Sequence, residues 1–94
     1  MIKHIVIWKL KENVSQDEIL NLKELSKTLE KIKTVVDIKF NVSPADGSTH
    51  ELCLESIHNN MDDLNSYSID PVHLAFGKEL KKLVSERICF NYEY

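Results

Sequence analysis

Apolar residues alternate with polar ones near both ends of the chain and recur at helical spacing in between. Ile2 to Leu10 is rich in β-branched residues and is bounded by Lys11-Glu12-Asn13, which predicts a strand. Its apolar side chains fall on both faces, Val6 and Trp8 on one, Ile5 and Ile7 on the other. Ser15 followed by Glu18 forms a capping box, and Val14 and Ile19 are placed for a hydrophobic staple. Ile19, Leu22, Leu25, Leu29 and Ile32 then mark one side of a helix. Val36, Ile38, Phe40 and Val42 alternate with polar residues as a one-sided second strand. Beyond the turn Ser43-Pro44-Ala45-Asp46-Gly47-Ser48, a third strand is predicted from His50 to Ile57. Its Leu52 and Leu54 share one face, with Cys53 and Ile57 on the other. His58-Asn59-Asn60 reads as a turn, which places His58 in solvent. Asn60 caps a short helix bearing Met61, Leu64 and Tyr67. Asp70 as N-cap with Pro71 at the first helical position starts a second piece. That piece carries His73, Phe76, Leu80 and Val84 on one side, and Arg87 to Tyr94 closes the chain as a fourth strand.

The order is β-α-β-β-α-β. Right-handed crossovers turn it into an α+β, ferredoxin-like domain: a four-stranded antiparallel sheet, strands one and three central, helices on one face. Residues 1–94 make a single domain. Helices shield only one face of such a sheet, so the apolar residues on the other need a second covering. A second copy of the same sheet is the economical one, giving an isologous homodimer and a dimeric α/β barrel.

Composition narrows the function. A net charge of −3 on 94 residues argues against a nucleic-acid partner, which selects a basic face. Cys53 and Cys89 belong to no CxxC motif, so they read as small buried hydrophobes in a reducing, cytoplasmic setting. With only Gly47 and Gly77, the chain has no glycine-rich phosphate loop. No apolar run is long enough for a membrane span.

The histidines are the candidate chemistry. His4 sits on strand one beside Val6 and Trp8, His50 opens strand three, and His73 lies in the first turn of the last helix. Adjacent strands suggest that His4 and His50 approach each other. His73 is the third helical residue after Asp70, where the positive helix terminus and partial burial favour neutral imidazole. A neutral ring acts as a general base, and the Asp70-Pro71 break lets the phenol of Tyr67 fold back towards it. The plain alternative is that each histidine and Tyr67 is only a packed core residue. Scattered histidines without local ligand spacing predict no metal.

The segments Met1-Ile2-Lys3-His4-Ile5-Val6-Ile7-Trp8-Lys9-Leu10-Lys11, Tyr67-Ser68-Ile69-Asp70-Pro71-Val72-His73 and Ile88-Cys89-Phe90-Asn91-Tyr92-Glu93 resemble those of the stress-responsive A/B barrel (Dabb) family. The resemblance spans essentially the whole chain. It implies a ferredoxin-like protomer in a homodimeric barrel. One plant member cyclises a linear polyketide by a cofactor-free aldol condensation, and its acid/base pair matches Tyr67 and His73. Histidines matching His4 and His50 lie in or near its pocket, which implies a substrate-binding role for both. Lys33-Thr34 stands where many members have Pro-Gly, and Asn91 where an acidic residue is common. The implied protein binds an apolar carbonyl compound without a cofactor. The rivals are a non-catalytic dimeric module and a cofactor-free monooxygenase, the latter on fold analogy alone.

Overall fold

Most local signals have a visible counterpart in the computed structural model, which describes residues 1–94. Strand β1 spans Ile2–Leu10. Helix α1, Gln16–Ser26, is capped by Ser15, whose side chain accepts from the Glu18 backbone while Glu18 returns to the Ser15 amide. The helical stripe continues to Ile32, but from Lys27 to Lys31 the helix tightens into a 3-10 turn and Ile32 is already extended. The hydroxyls of Ser26 and Thr28 donate back to the carbonyls of Lys23 and Leu25, a competition that shortens regular helix. Strand β2 is Asp37–Asn41 and β3 is Leu52–His58. Helices α2, Met61–Ile69, and α3, Pro71–Lys81, start at the predicted caps Asn60 and Asp70.

Strand β4 spans Val84–Glu93 and so begins three residues before the expected Arg87. Val84 leaves the helix because the carbonyl of the adjacent Leu83 accepts from the Lys11 amide, drawing the chain into the sheet. Strand order is β2-β3-β1-β4, all pairs antiparallel, so β1 and β3 are central. The fold is the ferredoxin-like α+β arrangement that the sequence predicts. No helix is long and apolar enough to cross a membrane.

The core fills the space between the helices and one sheet face. Ile2, Val6 and Trp8 from β1, Phe40 from β2, and Leu52 and Leu54 from β3 meet Leu22, Leu64, Tyr67, Phe76 and Leu80. Phe40 links the layers edge-on, its ring centre 6.2 Å from Trp8 and 5.4 Å from Phe76. The opposite face carries Ile5 and Ile7 with exposed Ile88, Phe90 and Tyr92 from β4 beside them.

Candidate functional site

Antiparallel register decides which polar side chains share the helix-facing side. His4 lies opposite Ser56 on β3 and opposite Asn91 on β4, and Ile2 lies opposite His58. All point where α2 and the start of α3 cross the sheet. Tyr67, near the end of α2, is 1% exposed and sits in the middle of three imidazoles. Its ring centre is 4.4 Å from His73, 5.0 Å from His58 and 6.3 Å from His4.

Each histidine has its tautomer set by a partner. Nδ1 of His73 donates to the carbonyl of Ser68 at 3.0 Å, which leaves the Nε2 lone pair of the neutral ring free. Nδ1 of His4 donates to Asn91 Oδ1 at 2.6 Å, freeing its Nε2 likewise. Asn91 thus does as an amide what an acidic residue could do there, without adding charge. His58 differs. Its Nδ1 donates to the Thr34 carbonyl at 2.7 Å and its Nε2 accepts from the Ser56 hydroxyl at 2.8 Å, so both nitrogens are used. His58 is a structural member of the cluster.

Burial is the largest influence on all four groups. It pushes the Tyr67 phenol far above its ordinary range, so the hydroxyl keeps its proton. It lowers His4, His58 and His73 below the ordinary histidine value of 6.5. Arg87 lowers His4 and His73 further, whereas the Ser68 carbonyl and Asp70 oppose the fall at His73. The rings are neutral near pH 7, as expected for His73, although burial is the main cause.

A stability prediction follows with a definite sign. Three histidines that resist protonation in the fold but accept it at about 6.5 when unfolded make the unfolded chain bind more protons below that pH. Thermal unfolding should give a steady Tm above about pH 7 and a falling one as pH drops below about 6.5. A Tm that is flat or rises over that interval would contradict the neutral cluster.

The cluster opens into a cavity of about 430 Å³ between β1, α3 and the start of β4. His4, Tyr67 and His73 lie on its wall; Val6, Leu54, Phe76 and Leu80 supply apolar lining. The phenolic oxygen of Tyr67 is buried and has no hydrogen-bond partner.

Two expectations about histidines need correction. His50 does not approach His4. It precedes Leu52, which lies opposite Trp8, so it belongs beside the end of β1 and not its beginning. Six positions of strand separate it from Ser56, about 20 Å. His50 lines a different groove with Ile7, Pro44 and Ile88, bonds Thr49 at 2.7 Å, and places Nε2 3.2 Å from a Glu86 carboxylate oxygen. His58 is not solvated but fully buried at the end of β3. Its alternation with Leu52, Leu54 and Ser56 was the available signal. Cys89 also departs from expectation: it is exposed, on a β4 that is exposed along nearly its whole length.

A ferredoxin-like sheet with a histidine- and tyrosine-walled cavity beneath its helices defines the structural class. The chain belongs to the Stress Responsive A/B Barrel Domain (Dabb) family, whose profile matches residues 2–94. Among solved structures, a dimeric protein of ferredoxin-like fold from Bacteroides fragilis is 32% identical with a TM-score of 0.83, covering 99% of this chain and 95% of that one. The hydroxynitrile lyase of Passiflora edulis shares the fold at 21% identity and a TM-score of 0.82, covering 97% of this chain and 90% of that one. A putative antibiotic biosynthesis monooxygenase from Nitrosomonas europaea does so at 13% identity and a TM-score of 0.76, covering 100% and 98%. Among curated proteins, none matches the chain.

Proposed function

We propose that two copies of this chain pair through their outer sheet faces into a dimeric α/β barrel in the cytoplasm. Each protomer binds an apolar, carbonyl-bearing small molecule in the cavity and performs cofactor-free acid/base chemistry of the cyclase or lyase kind on it. The observation that carries the reading is the Tyr67 hydroxyl, buried without a partner beside a histidine whose Nε2 is free. An unmet buried donor costs roughly 1–3 kcal/mol, a cost that a ligand carbonyl oxygen removes by accepting from it. Tyr67 then stabilises the developing oxyanion, His73 Nε2 takes the proton from the adjacent carbon, and His4 orients the ligand.

Other facts support the same assignment. The Tyr67-to-His73 segment is similar to the acid/base motif of the plant polyketide cyclase of the family. A hydroxynitrile lyase uses the same fold. The Bacteroides fragilis relative is dimeric. Phe90 and Tyr92, side by side along the uncovered face with ring centres 6.1 Å apart, suit burial against a second sheet.

Tyr67→Phe separates a working hydroxyl from a packing one. The variant should be more stable by about 1 kcal/mol, because a buried unsatisfied group is gone. It should bind a long-chain methyl ketone such as undecanone about tenfold more weakly in an NMR titration, the ketone having lost its donor. Equal ketone affinity in Tyr67→Phe and the parent protein would overturn the assignment. So would no ketone binding to the parent.

A further inference from the structure

The cavity changes character along its length. At one end stand His4, Tyr67, Ser68 and His73; the middle is Val6, Leu54 and Phe76; at the other end are Lys81, Ser85, Glu86 and Arg87. Two rulers give its length. Arg87 lies opposite Trp8, four positions along β1 from His4, about 13 Å of strand. Lys81 lies eight residues along α3 from His73, about 12 Å of helix. Measured between backbone positions, the polar ends are therefore roughly 12–13 Å apart, with apolar wall between them.

The far end is cationic. Lys81 and Arg87 make no ion pair within the protein. The one carboxylate there, Glu86, faces His50 at 3.2 Å. A guanidinium without an acidic partner presents a planar fork that suits a carboxylate bidentately.

We infer that the cavity is built for a carbonyl compound carrying a carboxylate at its far end, with Arg87 as the specificity-determining residue and Lys81 assisting it. The inference rests on the proposed ligand site and adds the ligand's second recognition point. The carbonyl meets Tyr67 and His73, the chain lies along Val6 and Phe76, and the anion reaches Arg87. Because the anion sits at an open mouth, its contribution weakens as salt is added.

The test compares two ligands of one shape, oxoundecanoic acid with ketone and carboxylate at opposite ends, and its methyl ester. The full chain should bind the acid about tenfold more tightly than the ester at low salt. Arg87→Gln should abolish that preference, the affinity for the acid falling to about that for the ester. Arg87→Lys should restore part of it, since charge returns without the fork. Tyr67→Phe should weaken acid and ester alike and keep their ratio. Equal binding of acid and ester by the parent chain, or a preference that survives Arg87→Gln, overturns the anion site and leaves the Tyr67 reading standing. Failure of both ligands to bind overturns both.

Discussion

Ile7→Asp is expected to convert the protein from a dimer into a monomer at micromolar concentration. Ile7 lies in the middle of the uncovered sheet face, opposite Cys53 on β3 and Ile88 on β4. In one protomer the position is only half-buried, so a carboxylate there keeps most of its water and the fold survives. Between two packed sheets the same carboxylate loses its water without a partner, at roughly 2–3 kcal/mol for each copy. Two-fold symmetry doubles the penalty to about 4–6 kcal/mol, which weakens dimerisation about 10³- to 10⁴-fold. Sedimentation velocity across a concentration series reads the change, and circular dichroism checks that the monomer is folded. A parent chain that sediments as a monomer, or a dimer unaffected by Ile7→Asp, would remove the barrel.

The fold was readable because its local signals agree with one another. Ser15 with Glu18, Asn60, and Asp70 with Pro71 fix all three helix starts through bonds between neighbours in sequence. The alternation of β1 on both faces marks it as a central strand. The site was only half readable, and the reason is register. Adjacency of β1 and β3 says nothing about which ends meet until their antiparallel direction is applied residue by residue. The start of β1 then meets the end of β3, so His4 belongs with His58, at a ring separation of 6.5 Å, and His50 belongs at the far end. Asn59-Asn60 beside His58 obscured its place as the last inward residue of β3. Arg87 was hidden for a related reason. Its side of β4 becomes visible only once it is paired with Trp8. Tyr67 and His73, by contrast, are joined by a short break between helices, and sequence alone brings them together.

Loss of the base at position 73 should leave that local architecture intact while removing its chemistry. In His73→Gln the side-chain amide retains a donor for the Ser68 carbonyl but offers no basic nitrogen in place of Nε2. The position is only partly buried and lies at the third residue of α3, where a polar amide is tolerated, so Tm and dimerisation should shift little. Exchange of the protons beside the carbonyl of undecanone for deuterium, followed by NMR in heavy water, isolates the proton-abstraction step. Its protein-catalysed rate should fall about 10²- to 10⁴-fold in His73→Gln, the usual worth of a positioned general base. In the parent protein the rate should be level at neutral pH and decline only below about 6.5, as His73 becomes protonated at its lowered pKa. The direction is fixed because imidazolium has no lone pair to accept the proton. A rate that increases on acidification would assign His73 the role of acid, and an undiminished rate in His73→Gln would leave it no part in proton transfer.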